Sequence, residues 1–367
     1  MLVTLLAASV SLTGSPQEPP PIEFGSGVRM IRLDVSVVGK RGVPVAGLLP
    51  DDFEVFEDGR PVELSLFEAF DSDQPRAAAA EAPEAGLAEP PRRVILVMDT
   101  GLMSMGELLR ARDSAERYLR LHTGEGDWVR VINRATGQAW GGFMPDDRNH
   151  LLSAIRGISW RRQGLWGSDA DAVTAPIADR FDSGFDGPGP SESSTSEVFL
   201  SQFAQTSGLL GMLEAILVQL GGIDGRKALV LVSPGFPQLR NLDRRLQQVS
   251  TLAREASTPV YFIDSRGLDG LLPEPGRQMR PAFEMAWARS GGAQDLAEAT
   301  GGFTARFSNS LTRALSRVAA EMRTYYVLGY TPTRPDDGRF RKIKVKVNVD
   351  GLKARTKKGY LAGAGRR

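Results

Sequence analysis

An unbroken apolar run, Val94 to Met98, set between Arg92-Arg93 and Asp99-Thr100-Gly101, constrains this chain more than any other stretch. It is too short for a helix and shows no polar alternation. It therefore reads as a strand covered on both faces, as central strands of parallel sheets are. Asp99 falls at the carboxyl end of that strand. In open α/β sheets, ligands settle outside the carboxyl ends of the strands, where strand order reverses. A site is accordingly expected around Asp99.

The residues that follow repeat the strand-helix alternation. Leucine, alanine and tyrosine at helical spacing predict a helix over 106–122, and WVRVI predicts a strand over 128–132. A short strand running back along an edge is expected over 138–144, then a helix over 149–158 and a long apolar helix over 197–220. KALVLV (227–232) and VYFID (260–264) read as buried strands, with a helix over 242–257 between them. This order implies an α/β fold: a doubly wound, mostly parallel, Rossmann-like sheet with helices on both faces, occupying 92–324.

The two ends of the chain read differently. In 24–70, Ile31, Leu33, Val35 and Val37 alternate with Arg32, Asp34 and Ser36, the period of a half-buried strand. Asp58-Gly59 marks a hairpin turn, and Val62, Leu64, Leu66 and Phe67 continue a single return strand. In 325–362, YYVLGY is followed by a Pro/Asp/Gly turn and a second alternating strand, a hairpin in which Ile343, Val345, Val347 and Val349 oppose Lys342, Lys344, Lys346 and Asn348. So few strands need another surface to be stable. The two ends are therefore expected to form one small β-sandwich-like unit, with the α/β domain inserted in it. The lysine-rich face is read as solvated.

Two segments read as irregular. Residues 71–91, rich in Ala, Glu and Pro, form a linker. Residues 164–196 form an insertion that reads equally as a recognition loop or as unstructured chain; Trp160, just before it, and Trp166, Phe181 and Phe185 within it supply its aromatic points. Its Asp169, Asp171, Asp182 and Asp186 lack the calcium-loop spacing. Residues 1–23 hold an apolar run followed by small residues and prolines, as in the later part of a secretory signal, which predicts a secreted or periplasmic protein. No other stretch reads as a membrane span.

The buried strand ending in Asp99, with Ser104 behind it, then GRKALVLVSPG, VYFID, QDLAEATGGF and YYVLGY, resembles in this order a von Willebrand factor A-type (VWFA) domain. More narrowly it resembles a bacterial VWFA-related family found in acidobacteria. The resemblance spans residues 28 to 360 and implies protein-protein binding or adhesion at the carboxyl end of the sheet, around Asp99, Ser104, Thr206 and Ser233. It also implies a divalent cation such as Mg²⁺, held by oxygen ligands from three loops. Here that set is incomplete. Asp99 matches the first ligand, but Gly101 and Met103 stand at the serine positions and Pro234 at the later aspartate. None of the three carries a side-chain oxygen. Ser104 is one residue out of register, and Thr206 or Ser207 is left as the hydroxyl of the second loop. Without a metal, Asp99 is expected to cap the turn or helix after it.

Composition narrows the rest. The chain of 367 residues carries a formal net charge of +1, which gives no sign of a nucleic-acid partner, and it has no cysteine for thiolate chemistry. Its only histidines are His122 and His150, no GxSxG elbow or GxxxxGK[ST] loop is present, and Gly101 stands where a DxD pair starting at Asp99 would need its second aspartate. Gly291-Gly292 and Gly301-Gly302 are expected at helix ends and turns, not at phosphates. A non-enzymatic binding protein is the expectation. A metal-independent assembly scaffold and a hydrolase using Asp99 are the alternatives.

Overall fold

In the computed structural model, which describes residues 30–71, 91–159, 192–268 and 279–363, the run around Val94 becomes strand β5 (Arg93–Met98), whose Val94 to Met98 are all buried. On one side β5 pairs in parallel with β6 (Trp128–Asn133), which carries β7 (Ala139–Phe143) antiparallel at the edge. On its other side lie β8 (Lys227–Ser233), β9 (Val260–Asp264) and β10 (Thr304–Ala305), all parallel. The six-stranded order is therefore β10-β9-β8-β5-β6-β7. The chain winds outward from β5 to β7 and then returns to β8, so the order reverses between β5 and β8.

Alternate residues of these strands face two helical layers. Val94, Leu96 and Met98 pack toward helices α1 (Met105–His122) and α2 (Arg148–Gly157), and Ile95 and Val97 face the opposite way, toward α3 (Glu192–Gly221) and α4 (Asp243–Glu255). Helix α5 (Met279–Thr300) joins the α3 and α4 layer, and α6 (Leu311–Arg323) the α1 layer. Gly291 and Gly292 lie inside α5, not at a helix end as expected. A Cβ on Gly292 would stand 2.6 Å from the Phe236 ring, so glycine there permits close approach of helix and loop rather than a turn.

The chain ends form two four-stranded antiparallel sheets. One has the order β13 (Lys353–Arg355), β1 (Ile31–Val38), β11 (Thr324–Tyr330), β4 (Leu66–Asp71). The other runs β14 (Gly359–Leu361), β12 (Phe340–Val347), β2 (Phe53–Glu57), β3 (Arg60–Val62). Leu33, Val35, Tyr326 and Leu328 of the first sheet meet Phe53, Val55 and Ile343 of the second in one apolar core. Two details differ from expectation. The single return strand is split, β3 and β4 lying in different sheets, with the chain crossing at Glu63–Ser65. Likewise β11 and β12 are not a hairpin, because each pairs with N-terminal strands instead.

The α/β and β units are joined by chain and by charge. Helix α6 ends at Arg323 and β11 begins at the next residue. Arg226, almost wholly buried, donates to Asp34 at 3.0 Å and to the Glu321 carbonyl at 3.2 Å while lying 4.3 Å from the Tyr325 ring centre.

Among the described residues, one helical stretch, Leu200–Gly221, is long and apolar enough to cross a membrane by length and composition. Its Leu209, Leu210, Leu213, Leu217 and Leu220 are buried against the sheet, so one face of this apolar stretch is core packing, while Leu200 and Val218 are exposed. Helix α3 also begins at Glu192, so the end of the segment read as an irregular insertion is helical. The 1–23 segment, most of the 71–91 linker, and Trp160, Trp166, Phe181 and Phe185 lie outside the described residues.

Candidate functional site

The register of the central strands sets the site. Met98 pairs with both Asn133 and Val232, so the next residues outward, Asp99, Arg134 and Ser233, emerge side by side from β5, β6 and β8. The backbone continues this alignment for one more step: Asp99 N–H donates to the Val232 carbonyl at 2.9 Å, and Arg134 N–H to the Met98 carbonyl at 3.0 Å. Asp99 thus stands beside the reversal of strand order.

Asp99 and Ser233 are both fully buried. The carboxylate accepts from Arg134 Nη1 at 3.0 Å through one oxygen and from Ser233 Oγ at 2.8 Å through the other. Arg134 reaches across to α3, donating through Nη2 to the Gln205 carbonyl at 2.8 Å. Ser233 Oγ in turn accepts from Gly235 N–H at 2.9 Å. Beside this, Thr100 Oγ1 donates to Asn133 Oδ1 at 2.6 Å, and the same oxygen accepts from Ala135 N–H at 3.1 Å. Burial pushes the Asp99 carboxyl above its ordinary value, while Arg134 and the Ser233 hydroxyl pull the other way.

Of the four residues expected at this face, Asp99 and Ser233 are in contact, and the other two take no part in that bond. Ser104 is the N-cap of α1: its Oγ accepts from Glu107 N–H at 3.3 Å, and Glu107 returns the bond to Ser104 N–H, a reciprocal capping box. Asp99 makes no side-chain cap bond, contrary to the capping role expected of it. Thr206 is buried within α3 and not on a loop, and Ser207, also helical, accepts from Arg245 at 2.8 Å.

The donor set does not fit a dedicated divalent cation. Both Asp99 oxygens are committed, one of them to a guanidinium. Met103 is buried in the apolar core at one expected ligand position, with Gly101 and Pro234 at the others. Among the described residues no group of three or more His, Cys, Asp or Glu side chains could hold a metal. Arg134 was not foreseen: Asn133-Arg134 directly after an apolar strand signals only that polar groups at a strand end have to pair with something, not that Asp99 is the partner.

The rim around this cluster is apolar in part. Met105 and Leu109, one turn apart on α1, are 49% and 53% exposed, and Leu268, after β9, is 46% exposed. The start of α1 is tied to that same loop. Ser265 Oγ donates to Glu107 at 3.3 Å, and Arg110 donates to the Arg266 carbonyl at 3.4 Å.

No family model matches the chain, and no curated protein matches it. Solved structures similar to it include the TFIIH p34 N-terminal domain, at 10% identity and a TM-score of 0.27, with 62% of this chain and 96% of that one covered. Another is the human COPII-coat protein Sec24c, at 9% identity and a TM-score of 0.28; the match covers 75% of this chain and 44% of Sec24c. Likenesses this loose bear on no residue or activity, and the fold rests on the strand order itself.

Proposed function

We propose that this chain is a non-catalytic binding module that docks a protein partner on the carboxyl-end rim of its parallel sheet, without a metal ion. The observation that carries this reading is the pair Met105 and Leu109, exposed one turn apart at the start of α1 just after Asp99, with the likewise exposed Leu268 following the loop to which α1 is bonded. Large apolar side chains exposed at the carboxyl end of such a sheet fit a partner surface better than solvent. The resemblance of the motif order to A-type domains supports the same use of this face, and the apolar start of the chain supports an exported setting for it. Asp99, fully buried with both oxygens engaged, supports binding over hydrolysis, since a nucleophile has to reach its substrate.

The test is photo-crosslinking in cells. A benzophenone side chain replaces Met105 in one variant and Leu121, 69% exposed near the other end of α1, in a second. A discrete adduct from position 105 alone, unchanged by chelator, is expected. Equal labelling from both positions rejects the rim as the docking face, and loss of the adduct with chelator rejects the metal-free reading.

A further inference from the structure

We propose that Arg134 is a built-in cation: its guanidinium fastens the ends of β5 and β6 to α3 beside the crevice of the strand-order reversal, a task that in the fold this chain resembles falls to a bound metal. The inference concerns how the crevice is held and stands whether or not the rim binds a protein.

The geometry is that of a central charge among oxygens. Nη1 meets the Asp99 carboxylate at the end of β5, and Nη2 meets the Gln205 carbonyl on α3. The Arg134 backbone itself is fixed to β5 through the Met98 carbonyl. Ser233 closes the ring from β8 by donating to the free side of the same carboxylate. One side chain, itself only 10% exposed, thus ties the ends of β5 and β6 to α3. Removing the guanidinium leaves a wholly buried carboxylate with a hydroxyl for company, which a low-dielectric interior tolerates badly. A metal held by several loops can dissociate, whereas a cation delivered by the chain stays in place at every ion concentration. The crevice is therefore set permanently and does not respond to divalent ions.

Arg134 is thus a positioning residue, and cation rescue distinguishes it from mere packing. Melting of the wild-type chain, Arg134→Ala, Arg134→Lys and Asp99→Asn/Arg134→Ala is followed with and without methylguanidinium or Mn²⁺ at millimolar concentration, at constant ionic strength. The wild type is expected to ignore both ions. Arg134→Ala melts lower and regains a saturable ~2 °C or more with at least one of them, since a ligand that binds only the folded state raises its stability. The double variant, with no charge to balance, shows no such recovery. If Arg134→Ala does not fold, the comparison moves to Arg134→Lys, whose shorter amine keeps the charge and is expected to fold with partial loss. Rescue that persists in the double variant, no rescue of Arg134→Ala, an Arg134→Lys chain no better than Arg134→Ala, or a wild type stabilised by Mn²⁺ through Asp99 would each overturn the proposal.

Discussion

His122 ends α1 half-buried, with Nε2 2.8 Å from Ser316 Oγ, and burial together with Arg323 lowers its pKa from 6.5. The native state therefore disfavours the imidazolium relative to the open chain. The stability this histidine contributes is whole above pH 6.5 and declines as pH falls from there through the depressed native value. His122→Gln is expected to flatten that part of the profile, as read from urea midpoints between pH 7.5 and 5; an unchanged slope would assign it to other groups. Single residues were unevenly legible. Asp99 and Ser233 could be placed because each directly follows or ends a buried apolar run, while the capping box of Ser104 with Glu107 is a local signal that a motif one residue out of register had overshadowed. Arg134 was missed for a different reason. Its partners come from β5 and from α3, and nothing in the order of residues states that those two elements meet beside it.

At the scale of elements, the strands and helices with a single buried face or an unbroken apolar run were legible, since period 2 or 3.6 leaves a direct imprint on residue order. The split between β3 and β4 left no such imprint, because Val62, Leu64 and Leu66 keep alternating while the chain passes from one sheet to the other. The passage is fixed only by long-range bonds, such as Ser65 N–H to the Gly329 carbonyl at 2.8 Å. The join of α5 to β10 depends on closeness of backbone. A Cβ on Gly302 would lie 1.9 Å from the Val260 carbonyl oxygen, a backbone atom that cannot rotate aside. Gly302→Ala is expected to cost roughly 1–3 kcal/mol by overpacking, measured by denaturant unfolding, with the loss centred on β9 and β10 in hydrogen exchange. Wild-type stability in that variant would mean that β9 yields more readily than its burial suggests.

For the molecule as a whole, the β unit belongs to neither end of the chain alone. Strand β1 has β11 and β13 as its neighbours, and β2 has β12 and β3, so among these pairings only β2 with β3 lies within the N-terminal segment. A peptide of residues 30–71 is expected to be unstructured by circular dichroism and to gain strand content on mixing with residues 324–363, because of its four strands only β2 and β3 pair with each other, and an isolated two-stranded hairpin is marginal in water. A folded 30–71 peptide would refute this dependence. The same interleaving sets a schedule for synthesis. Leu33 and Val35 leave the ribosome before any of the C-terminal strands that cover them exist, and at 5–20 residues per second the about 290 residues up to β11 take roughly 15–60 s to make. During that interval β1, β2 and β4 are alternating apolar strands with open edges, while the α/β unit between them can already close. The nascent chain therefore carries an aggregation-prone segment whose cure arrives last, and a ribosome stalled before residue 324 leaves it without one.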